Sequence, residues 1–211
     1  MAKPKLVIIP VTPFQQNCTL MWNTETMRGA VTDPGGDVDR ILEAVKQQGV
    51  TVEKILLTHG HIDHAGGAAE LKEKTGASVE GPHRNDAFML AKLAATGAEY
   101  GYLARPVTPD RWLNEGDTVE VAGLTFSILE CPGHSPGSVV FYNAEHRFCL
   151  MGDVLFDGSI GRTDFPYGDH ALLISGIKTK LLPLGDDVSF IPGHGRPSTI
   201  GKERTSNPYL T

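Results

Sequence analysis

The chain has 211 residues, 40% of them hydrophobic and 21% charged, with a formal net charge of −6. That composition belongs to one large globular domain or two small ones and excludes a disordered or fibrous chain. The acidic balance speaks against a nucleic-acid-binding surface, and the apolar run Leu6–Ile9, cut off by Pro10, is too short for a membrane span or a secretory leader. Three cysteines, Cys18, Cys131 and Cys149, cannot build a disulfide framework, which points to a reducing, cytoplasmic setting.

The first third reads as strand, strand, helix, strand. Lys5–Ile9, Cys18–Trp22 and Ala30–Thr32 are strand candidates, and Asp33-Pro34-Gly35-Gly36 is a turn. Val38, Ile41, Leu42 and Val45 recur at helical spacing with Gly49 as the stop, and Ile55–Leu57 follows as a short buried strand. A helix through Leu71 ends at Gly76, and Ser78–Glu80 is a further strand. Arg84 to about Ala95 is helical, and Gly97–Trp112 is an irregular excursion. In the second half Thr118–Val121 and Thr125–Leu129 flank the hairpin signal Ala122-Gly123; Val139–Tyr142, Phe148–Leu150, a helix over Ala171–Leu182 and the strand Ser189–Ile191 complete the pattern. Two mixed β–α halves without a flexible linker suggest layered sheets with helices outside, in a single domain.

The segment His59-Gly60-His61-Ile62-Asp63-His64 places four possible metal ligands in six positions. On a helix His59 and His61 would diverge, and on a strand His64 would point away from the other three. A loop that leaves a buried strand and enters a Gly-rich helix start lets all four converge. Cys131-Pro132-Gly133-His134, Gly152-Asp153 and Pro192-Gly193-His194-Gly195 each follow a predicted strand in the same manner. Each one alone is an ordinary turn sequence. Together they describe ligands gathered at one sheet edge, where α/β folds build their sites.

This constellation resembles the metallo-β-lactamase superfamily from about residue 6 onward. The resemblance implies an α/β fold, a four-layer αββα sandwich of two mixed sheets with helices outside, as a single domain over residues 1–211. It implies two divalent metal ions per chain: one held by His59, His61 and His134, the second by Asp63, His64 and His194, with Asp153 bridging. Imidazole and carboxylate ligands suit zinc and admit iron or manganese. A metal-bridging hydroxide would be the nucleophile, with Asp63 as the catalytic residue that orients it and accepts its proton. Asp33 and Thr58 would hold ligand histidines by the far nitrogen or would cap the loop. Cys131 and Cys149 read as small buried side chains; His83, His146 and His170 read as surface or capping residues.

True β-lactamases generally carry Cys or Ser at the position of Asp153, so the aspartate favours the hydrolases of thioesters, lactones and phosphodiesters. Asp33-Pro34-Gly35-Gly36, Gly161-Arg162-Thr163-Asp164-Phe165-Pro166 and Glu203-Arg204-Thr205-Ser206-Asn207-Pro208-Tyr209 are similar to the glyoxalase II branch. The likeness is greatest to its short bacterial members, which lack the C-terminal helical domain. Those are hydroxyacylglutathione hydrolases, which cleave S-D-lactoylglutathione to D-lactate and glutathione. The resemblance thus implies a small-molecule glutathione thioester as partner, no nucleic acid, no membrane, and a monomer or small homo-oligomer. Arg162 falls where the branch has a basic residue near the glutathione carboxylate, or is a plain surface arginine; Asp164 replaces an aromatic residue of the longer enzymes. Gly97–Trp112, with Tyr100, Tyr102 and Arg105, walls the site or is a packing insertion. The rival readings are a mononuclear iron persulfide dioxygenase, against which Gly195 after His194 speaks, and a lactonase or other ester hydrolase of the same superfamily.

Overall fold

In a computed structural model residues 4–211 are described. The first half opens with the antiparallel hairpin β1 (Pro4–Val11) and β2 (Gln16–Asn23), to which β3 (Arg28–Thr32) adds antiparallel. Helix α1 (Val38–Gln48) then crosses to β4 (Thr51–Leu56), which lies parallel to β3. After α2 (Ile62–Ala65) and α3 (Ala68–Thr75), β5 (Ser78–Glu80) pairs parallel with β4 and completes a five-stranded sheet. Helix α4 (Ala87–Tyr100) and an extended stretch lead to the second sheet. It holds β6 (Thr118–Val121), β7 (Leu124–Glu130), β8 (Val139–Asn143) and β9 (Phe148–Gly152) as an antiparallel meander. A two-stranded hairpin, β10 (Leu155–Phe156) and β11 (Ser159–Ile160), and helix α5 (His170–Gly176) follow. Then β12 (Ser189–Pro192) joins β9 in parallel, β13 (Ser198–Thr199) sits at its edge, and α6 (Ile200–Ser206) closes the chain.

Strand alternation decides the layering. Successive side chains of a strand point to opposite faces. Accordingly Cys18, Leu20 and Trp22 of β2 face a core shared with Ile41 of α1, Leu71 of α3 and Leu90 of α4, whereas Met21 between them faces the other sheet. Leu56 of β4 and Ala30 of β3 join Met21 against Phe126, Ile128, Val139, Phe141 and Leu150 of the second sheet. On the far face of that sheet, Val140, Cys149 and Met151 pack against Leu173 and Ile177. Helix, sheet, sheet and helix are therefore glued by three successive apolar layers, the αββα arrangement. Fully buried Phe126 and Phe141 each contribute about 1.5–3 kcal/mol of transfer free energy to the central layer. No helix among the described residues is long and apolar enough to cross a membrane.

Two predicted boundaries shift. Helix α4 runs on through Gly97 to Tyr100, because Gly97 is a close-approach site rather than a breaker. Its carbonyl accepts the Tyr102 amide at 3.0 Å, and a side chain there would lie 2.6 Å from the Tyr102 carbonyl oxygen. The predicted helix over Ala171–Leu182 is α-helical only to Gly176; a wide π turn spans Ile177–Leu181, then a 3-10 turn holds Leu182–Leu184. Pro183, which lacks an amide hydrogen, sits in the first positions of that 3-10 turn. The excursion is mostly a packing segment: Tyr102, Ala104, Val107 and Trp112 join the first core, and Arg105 pairs with Glu73 at the surface. His83 caps a 3-10 turn by accepting the Asn85 amide, and Cys131 and Cys149 are buried.

Candidate metal centre

The antiparallel pairings on both sides of β8 make β7 and β9 run in one direction, and the parallel β12 runs with them. Their C-terminal ends therefore lie at one edge of the second sheet. His134 follows β7, Asp153 follows β9 directly, and His194 lies two residues beyond β12. From the first sheet, β4 delivers Thr58, His59 and Gly60 in a loop, and His61 stands at the N-cap of α2 with extended backbone (φ −66°, ψ 152°). Helix α2 then carries Asp63 and His64 on its single turn. A loop with a helix start is thus how four ligand-type residues in six positions face one point.

All seven expected side chains meet. The ligand atoms of His59, His61 and His134 form one group, those of Asp63, His64 and His194 a second, and those of His59, His64 and Asp153 a third, each with its atoms within 4.8 Å of one another. His61 Nδ1 lies 3.0 Å from His59 Nε2 and 2.9 Å from His134 Nε2. Asp153 reaches both sides, at 3.6 Å from His134 Nε2, 3.3 Å from His64 Nε2 and 3.6 Å from His194 Nε2. Asp63 Oδ2 lies 3.1 Å from His194 Nε2.

Each imidazole is held by its other nitrogen. Thr58 Oγ1 sits 3.0 Å from His59 Nδ1 and donates to Asp33 Oδ2, which also takes His64 Nδ1 at 3.0 Å. The backbone carbonyl of Arg162 accepts from His134 Nδ1 at 2.9 Å, and that of Phe14 from His194 Nδ1 at 3.2 Å. Tyr167 Oη lies 2.8 Å from His61 Nε2. Such partners fix ring orientation and tautomer and raise ligand basicity. Asp33 and Thr58 therefore both take the ligand-holding role and not only that of loop caps.

Burial, then repulsion from neighbouring imidazoles, holds His59 well below the usual histidine range and His61 at about 3; burial also lowers His134. These three rings are neutral at pH 7, each with a lone pair to give. For His64 and His194 burial again opposes charge, but Asp153 and Asp63 outweigh it and both are raised. Asp63 and Asp153, although buried, are held below the usual carboxylate range by the surrounding imidazoles.

Two observations test whether this set fits metal ions. Buried His64 Nε2 and Asp153 Oδ1 have no hydrogen-bond partner, although an unpaired buried polar atom normally costs about 1–3 kcal/mol. His59 Nε2, His61 Nδ1 and His134 Nε2, on three rings that are neutral at pH 7, converge through lone pairs with no hydrogen between them. A divalent cation satisfies both conditions, so the residues fit. Gly193 belongs to the same design: a side chain there would collide with Asp153 Oδ1 and lie 2.6 Å from His64 Cε1.

The centre opens into a cavity of about 700 Å³. One wall is α4, whose Phe88, Met89, Lys92 and Tyr100 face it; the other holds Ile160, Arg162, Phe165 and Tyr167. Arg162 is exposed, paired with Asp164 at 2.7 Å and laid over the Phe165 ring at 4.4 Å. Tyr100 was named from sequence as a possible wall residue; Tyr167 and Phe88, Met89 and Lys92 of α4 were not. Asp86 was missed as well. Fully buried at the start of α4, it accepts from the Gly60 amide (2.8 Å), the Gly137 amide (2.6 Å) and Ser135 Oγ (2.7 Å), tying the His59–His61 loop to the His134 loop. The only sequence signal for it is an aspartate preceding a helix.

Residues 11–194 match the family described as the metallo-beta-lactamase superfamily. The chain is 46% identical over 205 residues to hydroxyacylglutathione hydrolase GloC of Haemophilus influenzae, covering 96% of each chain. Among solved structures it is similar to the BLEG-1 B3 metallo-beta-lactamase, with TM-score 0.90, 35% identity and coverage of 98% of this chain and 100% of that one. It is also similar to TTHA1623 in a di-iron-bound form, with TM-score 0.87, 35% identity and coverage of 97% and 100%.

Proposed function

The chain belongs to the metallo-beta-lactamase superfamily, and from that premise we propose that it is a metal-dependent thioester hydrolase of the glyoxalase II type. Its substrate would be S-D-lactoylglutathione, or a close 2-hydroxyacyl relative, cleaved to the hydroxy acid and the free thiol. The observation that carries this reading is the pairing of two complete ligand groups with a carboxylate, Asp153, that reaches both. The similarity to a hydroxyacylglutathione hydrolase along 96% of both chains supports it.

His59, His61 and His134 would hold one divalent ion, Asp63, His64 and His194 the other, and Asp153 both; zinc suits the donors, and iron or manganese are admitted. When bound, such ions supply Lewis-acid polarisation and acidify water. The chain supplies the rest. Asp63, which lines the cavity 3.1 Å from His194 Nε2 and is ionised at neutral pH, takes the proton of the attacking water. Thr58, Asp33 and the two backbone carbonyls keep the imidazoles aimed, so that no reorganisation is needed as charge develops. The apolar faces of α4 and the Phe165 loop exclude water around the acyl carbon. Lys92 and Arg162 line the same cavity and would meet the carboxylates of the thiol. We place the enzyme in the cytoplasm as a monomer or small homo-oligomer of one domain.

A persulfide dioxygenase holds one ion with two histidines and an aspartate. That arrangement leaves the Asp63, His64 and His194 group without a function. The test is a paired assay on metal-quantified protein, following thioester absorbance with S-D-lactoylglutathione and oxygen uptake with glutathione persulfide. Thioester loss with two metals per chain, abolished in Asp63→Ala, is expected. Oxygen uptake with one iron per chain would overturn the reading.

A further inference from the structure

The hydroxyl of Tyr167 has a proton that the protein itself does not use. His61 turns Nδ1 toward His59 Nε2 and His134 Nε2, at 3.0 and 2.9 Å. An imidazole that offers the lone pair of one nitrogen carries its hydrogen on the other. His61 Nε2–H is therefore the donor in the 2.8 Å contact with Tyr167, and the phenol oxygen is the acceptor. Among the described residues the hydroxyl makes no second hydrogen bond, so its own O–H is free to donate. A hydroxyl that already accepts a hydrogen bond is polarised toward giving a better one.

The ring is held in the cavity wall. Tyr167 stacks on Phe165 (centroids 5.4 Å apart, planes at 15°), and Phe88 of α4 meets its edge at 5.5 Å. The other four ligand histidines lean on a buried threonine, a buried aspartate and two backbone carbonyls. Only His61 leans on a side chain that lines the cavity. Lys92 of α4 suits a charged thiol, while Arg162 is already matched by Asp164 and lies over Phe165, so the proposal gives the acyl group to the aromatic slab of Phe165 and Tyr167.

Resting on the thioester-hydrolase reading, we propose that Tyr167 is an acyl-recognition residue: its hydroxyl donates a hydrogen bond to an oxygen on the carbon next to the scissile carbonyl. The donor stands one imidazole ring and one hydrogen bond away from the point where His59, His61 and His134 converge. Set back from that point by this much, the hydroxyl is assigned by the proposal to a 2-hydroxyl and not to the reacting carbonyl. On this proposal Tyr167 is the residue that discriminates 2-hydroxyacyl thioesters from plain acyl thioesters of the same length.

The experiment compares kcat/KM for S-D-lactoylglutathione and S-propionylglutathione, which differ only in the 2-hydroxyl, in the wild type and in Tyr167→Phe. The wild type should prefer the lactoyl ester, and the variant should lose about fivefold of that preference, the worth of one hydrogen bond to an uncharged oxygen. Both substrates meet the same protein sample, so any change in metal content cancels in the ratio. As a readout without turnover, titrations with D-lactate and propionate should show weaker D-lactate binding in the variant and unchanged propionate. An unchanged ratio, with equal losses on both esters, would overturn the proposal and leave Tyr167 as a positioning residue for His61. A wild type inert toward both esters would instead overturn the thioester reading itself.

Discussion

Replacing Asp86 by alanine tests whether the two ligand loops are held together by one buried carboxylate. In the native protein that carboxylate accepts from the Gly60 and Gly137 amides and from Ser135 Oγ, all buried. Ser135 keeps Ser138 Oγ at 2.7 Å as a partner, so alanine orphans the two amides. At about 1–3 kcal/mol per unsatisfied buried donor, the loss is about 2–6 kcal/mol, a large part of a typical domain's stability of about 5–15 kcal/mol. Burial outweighs the three donors and raises the Asp86 carboxyl to about 6 from its usual 3.8. Between those values the folded state keeps a proton that the unfolded chain has lost, so this group's contribution to stability falls as pH rises through the window. At about 1.4 kcal/mol per pH unit where only the unfolded form is ionised, wild type should gain roughly 1 kcal/mol over Asp86→Ala on going from pH 7 to pH 5. Urea unfolding of metal-depleted wild type and variant at the two pH values reads both quantities. A loss below about 1 kcal/mol at pH 7, or a gap that narrows toward pH 5, would refute the reasoning.

Two further outcomes follow from the centre. Asp33→Ala removes the partner of His64 Nδ1 and of Thr58 Oγ1 together, and should weaken metal binding about 10–100-fold, measured by competition with a chromophoric chelator; unchanged affinity would mean that the imidazoles are aimed by packing alone. Gly193→Ala places a methyl against Asp153 Oδ1 and His64 Cε1. It should abolish metal retention in elemental analysis with far-ultraviolet circular dichroism unchanged, and full metal content would contradict the close packing described.

The convergence of the seven candidate ligands was readable because its chemistry is local. His59, His61, Asp63 and His64 share one short loop and helix turn, and the other three each follow a strand beside a glycine. The layers were readable from alternation, as in Cys18, Leu20 and Trp22 against Met21. What escaped depends on distant partners. Tyr167 meets His61 across 106 positions, and Asp86 meets Ser135 across 49 and Gly137 across 51. A tyrosine in a turn or an aspartate before a helix has no local mark that sets it apart. The π turn after Gly176 and the two-residue strands β10, β11 and β13 are too short to carry any period. Arg162, read from a motif, contributes its backbone carbonyl to His134 while its charge is matched by Asp164.

The tip of the first hairpin holds His194, the last candidate ligand. Phe14 accepts from His194, the Asn17 amide donates to Gly193, and the Asn17 side chain donates to Pro192 and Gly195, contacts spanning 175–180 positions. Contacts of such long sequence separation bear the largest loop-closure entropy and form late. Each half can assemble its own sheet and helices from nearer neighbours, so a nascent or partly opened molecule has two formed layers and no complete centre. Hydrogen exchange at the Asn17 amide, which donates to the Gly193 carbonyl, should then be governed by a smaller opening than that of the strand interiors. Catalytic competence becomes a report on the joining of the two halves, gained last and lost first.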